Sequence, residues 1–456
     1  MILRASRASR SAPWLLCAIQ FLVAVEFSIV NVAVPDLQDD FGTAAPVTQW
    51  VLSAYAIGFA SLLFLGGCAA ERLGARSVVI GGLLCFSVTS GVAAMTPDIW
   101  SLIAIRVLQG ASAAFLTPAA LTLLTSLGDG PARDRWLALW GAAASVGFAG
   151  GVISGGVFTQ LFGWRSVFVS CAVTACILLA SSLFALPQVT SGARQVDVLG
   201  ASLFALTGVS IASAFGMTAD ALGDARVAIW AAVLAAASGV LLIFQQQRSR
   251  NPLAPRGLLR RRDVKIGMLL SFVAPAAGGS MVYFSSLYMQ NVLGWSELGT
   301  GVALLPDALA AAAGAYAAPA LVRRVGVKFT VCVGFSAMLF GLLILCMRPS
   351  ASTATVIQVL VGTSLTGFGL VLCGVVATVA GSRNLSKGEH GASAGILTAS
   401  QQWGVAAGLA LGANAVALSG NPAAGTLVGA LVASMALLAI LIAALSSFRR
   451  APTRIS

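Results

Sequence analysis

The chain has 456 residues, 58% of them hydrophobic and 9% charged, with a formal net charge of +12 and a mean hydropathy of +0.93. So few charges cannot cover a water-soluble surface, which excludes soluble enzymes and soluble binding modules and leaves a polytopic membrane protein. The positive charge therefore has to be explained within a membrane protein, and its distribution along the chain does so.

A helix needs ~20 mostly apolar residues to cross ~30 Å of hydrocarbon. In chain order, the stretches that approach this length are Trp14–Pro35, Val47–Ala70, Val78–Met95, Ile99–Leu124, Trp136–Leu161, Trp164–Leu186 and Val198–Met217. They continue with Val227–Phe244, Ile266–Tyr288, Thr300–Leu321, Phe329–Leu345, Thr355–Ala380, Ala392–Leu418 and Thr426–Leu445. The expectation is an all-α integral membrane protein with fourteen transmembrane helices.

Cytoplasmic loops retain Lys and Arg. Of the 27 such residues, all but Arg106, Arg165, Arg226 and Arg348 fall on the two terminal segments or on every second loop. The pattern predicts an even number of spans, a multi-pass protein of the cell membrane, and both termini in the cytoplasm. It also accounts for the net charge: no basic run is interleaved with aromatics on a soluble domain, so nucleic acid is not an expected partner. Arg260, Arg261 and Arg262 are placed to meet anionic lipid headgroups. Arg4, Arg7 and Arg10 ahead of an apolar stretch look like a signal peptide. That stretch is too long for a signal core and contains Glu26, so it reads as an uncleaved first span.

The eight cysteines (Cys17, Cys68, Cys85, Cys171, Cys176, Cys332, Cys346 and Cys373) lie within or at the edges of spans without metal-type pairing. They read as small buried apolar residues. The single histidine, His390, falls in a predicted cytoplasmic loop, so no histidine-based metal site is expected. No nucleophile–base pair and no GxxxxGK[ST] phosphate loop occurs, which argues against an enzyme, a cofactor and direct ATP coupling.

Two unrelated features repeat at nearly one spacing. Arg72-Leu73-Gly74-Ala75-Arg76 after the second span recurs as Arg324-Val325-Gly326-Val327-Lys328 after the tenth. Gly147, Gly151 and Gly155 in the fifth span recur as Gly404, Gly408 and Gly412 in the thirteenth. The repetition predicts two pseudo-symmetric six-helix bundles, residues 1–190 and 263–456, with a two-helix insert and cytoplasmic linker at 191–262. Parallel halves meeting around a midplane site are a transporter plan. Each glycine triplet at i, i+4, i+8 makes one smooth helix stripe, suited to tight packing or to a rocking interface.

At these residues the chain resembles the major facilitator superfamily, in its 14-helix drug:proton antiporter branch, over essentially its whole length. Gly67 through Arg76 is similar to the loop signature after the second helix, with Glu71 where Asp is usual. Leu102 through Ala114, containing Arg106, Gln109 and Gly110, is similar to the fourth-helix motif. Val25 through Pro35 is similar to the first-helix motif, with Glu26 in place of Asp. Gly151 through Gly156, followed by Gly163-Trp164-Arg165, is similar to the fifth-helix antiporter motif, with Val152 where proline is usual. The resemblance implies that Arg106 biases protonation of a carboxyl or organises the coupling pathway. It also implies that Gly67, Glu71, Arg72, Gly74 and Arg76 form an interdomain latch, for which a solvated loop is the plain alternative.

Three ionisable residues sit at membrane depth, where a charge is costly enough to suggest function. Glu26 lies about 18 Å into the first span and Asp307 about 10 Å into the tenth, at 1.5 Å per residue; Arg106 lies in the fourth. Either carboxyl could carry a proton, bind a cation, or be a satisfied core group. Polar and aromatic groups able to line a central cavity are Asn31, Gln49, Trp50, Tyr55, Tyr283, Tyr288, Gln290, Gln401, Gln402 and Trp403, with ordinary packing as the alternative for each. The function expected is proton-coupled export of small amphipathic drugs, antiseptics or natural products. Glu26 and Arg106 would couple the proton, and Asp307, Asn31, Tyr55 and Gln401 would contact substrate. Expected partners are the small-molecule substrate, protons and membrane lipid, with the protein a monomer. The rivals are uptake or symport, and a membrane receptor or enzyme.

Overall fold

The first span does not run to Pro35. In a computed structural model of the chain, α1 covers Ala12–Ile29, and after a break at Val30–Ala33 a separate short helix, α2, covers Val34–Phe41. Proline stands in the first turn of α2, where its missing N–H is no loss, and Gly42 closes the helix at φ +59°. The structure describes residues 11–127, 131–187, 197–216, 225–249, 257–279, 281–347, 353–381, 390–419 and 435.

The remaining elements of the first half are α3 (Ala45–Leu73), α4 (Ala75–Ala93), α5 (Ile99–Ser126), α6 (Pro131–Phe162) and α7 (Arg165–Ala185). Asp98 caps α5, its carboxylate accepting the backbone N–H of Trp100 and Ser101, each at 2.9 Å. In the segment expected as the insert lie α8 (Val198–Gly216) and α9 (Ala225–Arg248). In the second half come α10 (Arg262–Gly278), α11 (Met281–Leu287), α12 (Glu297–Ala303), α13 (Leu305–Cys346), α14 (Thr353–Gly381) and α15 (His390–Ser419). The ninth expected span falls on α10 and α11, within one apolar stretch from Arg262 to Gln290, and α11 runs on into a wide π turn at Tyr288–Val292. The tenth begins in α12 and continues in α13, and the tenth and eleventh are the two arms of α13 on either side of the non-helical Gly326. His390 opens α15 and does not lie in a loop. The last expected span, Thr426–Leu445, lies outside the described residues.

The repeated loops take the same backbone form. Gly74 (φ +89°) separates α3 from α4, and Gly326 (φ +82°) bends α13 at the matching place. A side chain would be strained at both positions, so each loop needs its glycine. The packing repeats too: α3 lies on α5 as α13 lies on α14, and α1 lies on α6 as α10 lies on α15.

Ten described helical stretches are long and apolar enough to cross a membrane. Many large apolar side chains face outward, among them Phe184 (90% exposed) and Trp230 (70%), an arrangement that suits hydrocarbon and not water. None of the eight cysteines forms a disulfide. Cys17, Cys171 and Cys373 are buried as expected, whereas Cys85 and Cys176 are exposed on the outer faces of α4 and α7.

Candidate functional site: a buried ion pair

Glu26 and Arg106, eighty residues apart in sequence, form an ion pair in the interior of the first half. The Arg106 Nη1 donates to Glu26 Oε1, and the side chains are 0% and 1% exposed. Arg106 is held by more than its partner. Its Nε donates to the Val51 carbonyl at 2.9 Å and its Nη1 also to Gln109 Oε1 at 2.8 Å. Gln109 is anchored in turn, its Nε2 donating to Ser90 Oγ at 2.7 Å. The guanidinium lies over the Tyr55 ring, 4.5 Å from its centroid, with Phe168 at 5.8 Å.

The network draws on α1, α3, α4, α5 and α7. On α5, Arg106 and Gln109 are three residues apart and share a face. Close helix approach brings the rest within reach. A Cβ on Gly110 would run into the Tyr55 carbonyl, and one on Gly58 into that of Val107, so α3 and α5 lie backbone to backbone. Two buried charges repay their desolvation only when the spare donors are also satisfied. Arg106 meets that condition better than Glu26, whose Oε2 has no hydrogen-bond partner among the described residues and has the Cys171 thiol beside it. Arg106 can therefore stay in place when its carboxyl partner is neutralised. Ser90 and Cys171 carry no signal in the sequence that separates them from other small residues in spans.

Asp307 is 4% exposed near the start of α13 and packs against Gly367 of α14; its Oδ1 is buried without a hydrogen-bond partner among the described residues. Its place in the repeat is informative. Asp307 follows Tyr55, and Gly367 follows Gly110, by the same spacings that relate the two loops and the two glycine triplets. The Tyr55 hydroxyl is likewise buried and unpartnered. Gly151 meets Val25 as Gly408 meets Ala276, which puts Ala277 where the first half has Glu26, and the triplet spacing puts Thr363 where it has Arg106, so at these positions the second half has no matching ion pair.

Other expected site residues are scattered. Asn31 is buried, donating to the Phe27 and Ser28 carbonyls at 3.3 and 3.1 Å. It lines a cavity of about 20 Å³ with Phe27, Leu52, Phe148, Gly279, Val282, Val405 and Leu409. That space holds about one water molecule and draws its walls from both halves. Gln49 is buried and accepts from Ser53 at 3.0 Å, Trp50 packs on Ala406, and Gln290 donates to the Val32 carbonyl at 3.1 Å. Gln401 is exposed and Gln402 partly so, whereas Tyr283 is buried.

The glycine stripe serves one half and not the seam between halves. A Cβ on Gly147, Gly151 or Gly155 would strike the carbonyl of Phe21, Val25 or Ile29 of α1, and Gly404 and Gly408 meet Phe272 and Ala276 of α10 in the same way. Contact of α6 with the other half goes through neighbouring residues: Gly156 on the Glu297 backbone, Val152 on Gly301, and Gln160 Oε1 accepting from the Leu298 N–H at 3.2 Å. At this seam Asp36 is pushed up to about 6, first by burial and then by Glu297, Asp39 and Asp40. Asp40, by contrast, is held below the usual carboxylate range by the hydrogen bonds it accepts from Trp164 Nε1 (3.0 Å) and Arg165 Nη1 (2.8 Å). In the loop after α3, Glu71 and Arg72 are exposed and Arg76 donates to the Leu183 carbonyl of α7 at 2.7 Å. Gly67 has only ordinary contact with Pro118, whereas its neighbour Gly66 sits on the Ala114 carbonyl.

Residues 16–409 fit the family model of the Major Facilitator Superfamily. The chain belongs to this superfamily. Among its relatives, the cephamycin export protein CmcT of Amycolatopsis lactamdurans is 34% identical over 90% of this chain and 86% of its own length. The puromycin resistance protein pur8 of Streptomyces alboniger is 31% identical over 86% and 79%. A methylenomycin A resistance protein of Bacillus subtilis is 33% identical over 63% and 62%. Solved transporters share the fold. The transporter PepTSo superposes with a TM-score of 0.70 at 15% identity, covering 97% of this chain and 99% of that one. The inward-open xylose transporter XylE of E. coli superposes at 0.66 and 15%, covering 94% and 95%. At such identities the likeness concerns the fold alone.

Proposed function

We propose that this superfamily member is a proton-coupled exporter of small amphipathic natural products, antibiotics among them. The observation that carries the reading is the Glu26–Arg106 pair: a carboxyl in the interior with one cation, held by a guanidinium that keeps other partners when the carboxyl takes up a proton. The relatives supply the substrate class, since those named above export or resist cephamycin, puromycin and methylenomycin. Protonation of Glu26 weakens its tie to α5 and frees α1 to shift against it. Deprotonation restores the tie. One proton moving through 100 mV contributes ~2.3 kcal/mol, enough for a substrate ratio of roughly fifty-fold, since 1.4 kcal/mol is tenfold.

Substrate is held between the halves, where the Asn31 cavity has to widen from about 20 Å³ toward the ~300 Å³ or more of a small-molecule pocket. Tyr55 and Asp307, related by the repeat, offer a hydroxyl and a carboxyl from opposite halves. The loop from Gly67 to Arg76 closes the cytoplasmic side. Fourteen spans in a six, two, six arrangement, cytoplasmic termini and a monomeric protein complete the proposal.

The test is accumulation of puromycin in a susceptible bacterial host carrying the protein, with and without a protonophore. Export predicts lower accumulation that the protonophore abolishes. Accumulation raised above the control would mean uptake, and lowered accumulation untouched by the protonophore would remove proton coupling.

A further inference from the structure

The insert does not stand apart from the two halves. α8 rests on α3 and, less extensively, on α15, so it crosses the line where the halves meet. Phe64 of α3, Phe204 of α8 and Trp403 of α15 form a row of rings, with centroids 5.8 and 4.8 Å apart. Under that row Phe64 also touches Gly395 of α15.

The two ends of the row are held differently. At the α15 end, a Cβ on Gly208 of α8 would run into Nε1 and the ring carbons of Trp403, so the helices approach only because residue 208 lacks a side chain. The indole N–H there is buried and has no acceptor among the described residues. A buried donor without an acceptor detracts from the contact that buries it. Within the insert the bonds are polar and paired: Thr207 Oγ1 donates to Ser238 Oγ and Gln245 Nε2 to Asp197 Oδ1, each at 3.1 Å. At Gly208 and Trp403 the α8–α15 contact is thus one of close shape with an unsatisfied group in it.

Transport by alternating access moves one half against the other, which displaces α3 relative to α15. A helix resting on both has to release one of them. We infer that α8 travels with α3 and parts from Trp403 of α15 in each transport cycle, making the insert a latch across the seam. This rests on the transport reading above. In the parted state the indole N–H is freed to meet water, lipid carbonyls or substrate, which stabilises release and limits the grip of the closed state.

The test joins pairs of introduced cysteines with a short bifunctional thiol reagent, in a protein whose eight native cysteines have been replaced. The pairs are Gly208→Cys with Trp403→Cys, Phe64→Cys with Phe204→Cys, and Thr207→Cys with Ser238→Cys inside the insert. Puromycin export from cells is measured before linking, after linking, and after reductive cleavage of the linker. Linking 208 to 403 is expected to abolish export reversibly, while the other two links leave it intact. Export that survives the 208–403 link, or is lost on the 64–204 link, overturns the inference. A readout independent of transport is the distance between spin labels on exposed positions, Leu206 with Gln401 against Leu206 with Leu73, in purified protein between pH 5.5 and 8. Two populations for the first pair and one for the second are expected; a single fixed distance for both overturns it. If the unlinked protein exports nothing, the export reading fails and the spin-label distances alone decide this one.

Discussion

The ion pair between Glu26 and Arg106 is worth testing from both sides, because removal of either partner asks a different question. Arg106→Ala leaves a carboxylate buried with no cation and is expected to cost about 3–5 kcal/mol, read as a lower unfolding temperature and reduced protein in the membrane. Glu26→Gln keeps an acceptor for Nη1 and should fold, yet it has no proton to carry; gradient-driven export is expected to vanish at wild-type expression. Uphill export by that variant would remove Glu26 from the coupling role. Asp307 poses a different question, since among the described residues no cation pairs with it and it lies in the half that lacks the Glu26–Arg106 pair. A carboxylate in a poorly solvated site attracts a cation far more strongly than in water. Asp307→Asn is therefore expected to lower resistance to cationic compounds while sparing neutral ones, in growth-inhibition curves at equal expression. Equal loss for both classes would assign Asp307 to coupling or folding.

At the scale of elements, α6 packs on α1 through its glycine stripe. Gly151 lies against the Val25 carbonyl, and beside it Ser28 Oγ donates to the Phe148 carbonyl at 2.7 Å. A leucine there has nowhere to go but into the α1 backbone, so Gly151→Leu is expected to cost about 1–3 kcal/mol as overpacking, seen as a lower thermal midpoint in detergent. An unchanged midpoint would show that α1 and α6 are not in close approach. The acidic patch that Asp36 of α2 shares with Glu297 of α12 answers to pH. Asp36 titrates at about 6 there against 3.8 when free, so this packing favours its protonated form. The contribution to this arrangement is full below about 4 and is lost as pH rises through about 6. Spin labels at Ala44 and Leu298, both exposed, are expected to move apart as pH is raised across that window. The shift should disappear in Asp36→Asn, and a pH-independent distance in the parent protein would contradict the account.

For the whole molecule, the charge pattern yields a topology that a reporter can check. A fusion partner active only after export is expected to be silent at Ser456 and active in the loop around Asn421. Activity at Ser456 would imply an odd number of spans and undo the two-half arrangement. The pseudo-symmetry is deep in backbone and shallow in chemistry. Gly74 and Gly326 share a conformation and α3–α5 repeats as α13–α14, whereas the charged pair sits in the first half alone. Among the described residues, the buried pair gives the first half a proton-sensitive contact in its interior that the second half does not repeat.

Sequence alone determined that the chain is an all-helical membrane protein with an internal repeat, and it picked out Glu26, Arg106 and Asp307 as residues too costly at depth to be incidental. These properties are local: hydropathy, loop charge and the price of a buried ion are set segment by segment in hydrocarbon. Only tertiary structure decided which of those residues meet. Arg106 reaches Glu26 and not Asp307 because α5 is rotated and seated against α3 and α1 by Gly58, Gly110 and their neighbours. The same holds for the glycine stripe, which looked equally suited to either interface and proved to face α1. It holds again for the insert, whose sequence carries no mark of the seam it crosses. Rotation and register of one helix against another depend on both surfaces at once, and neither surface is readable from its own residues.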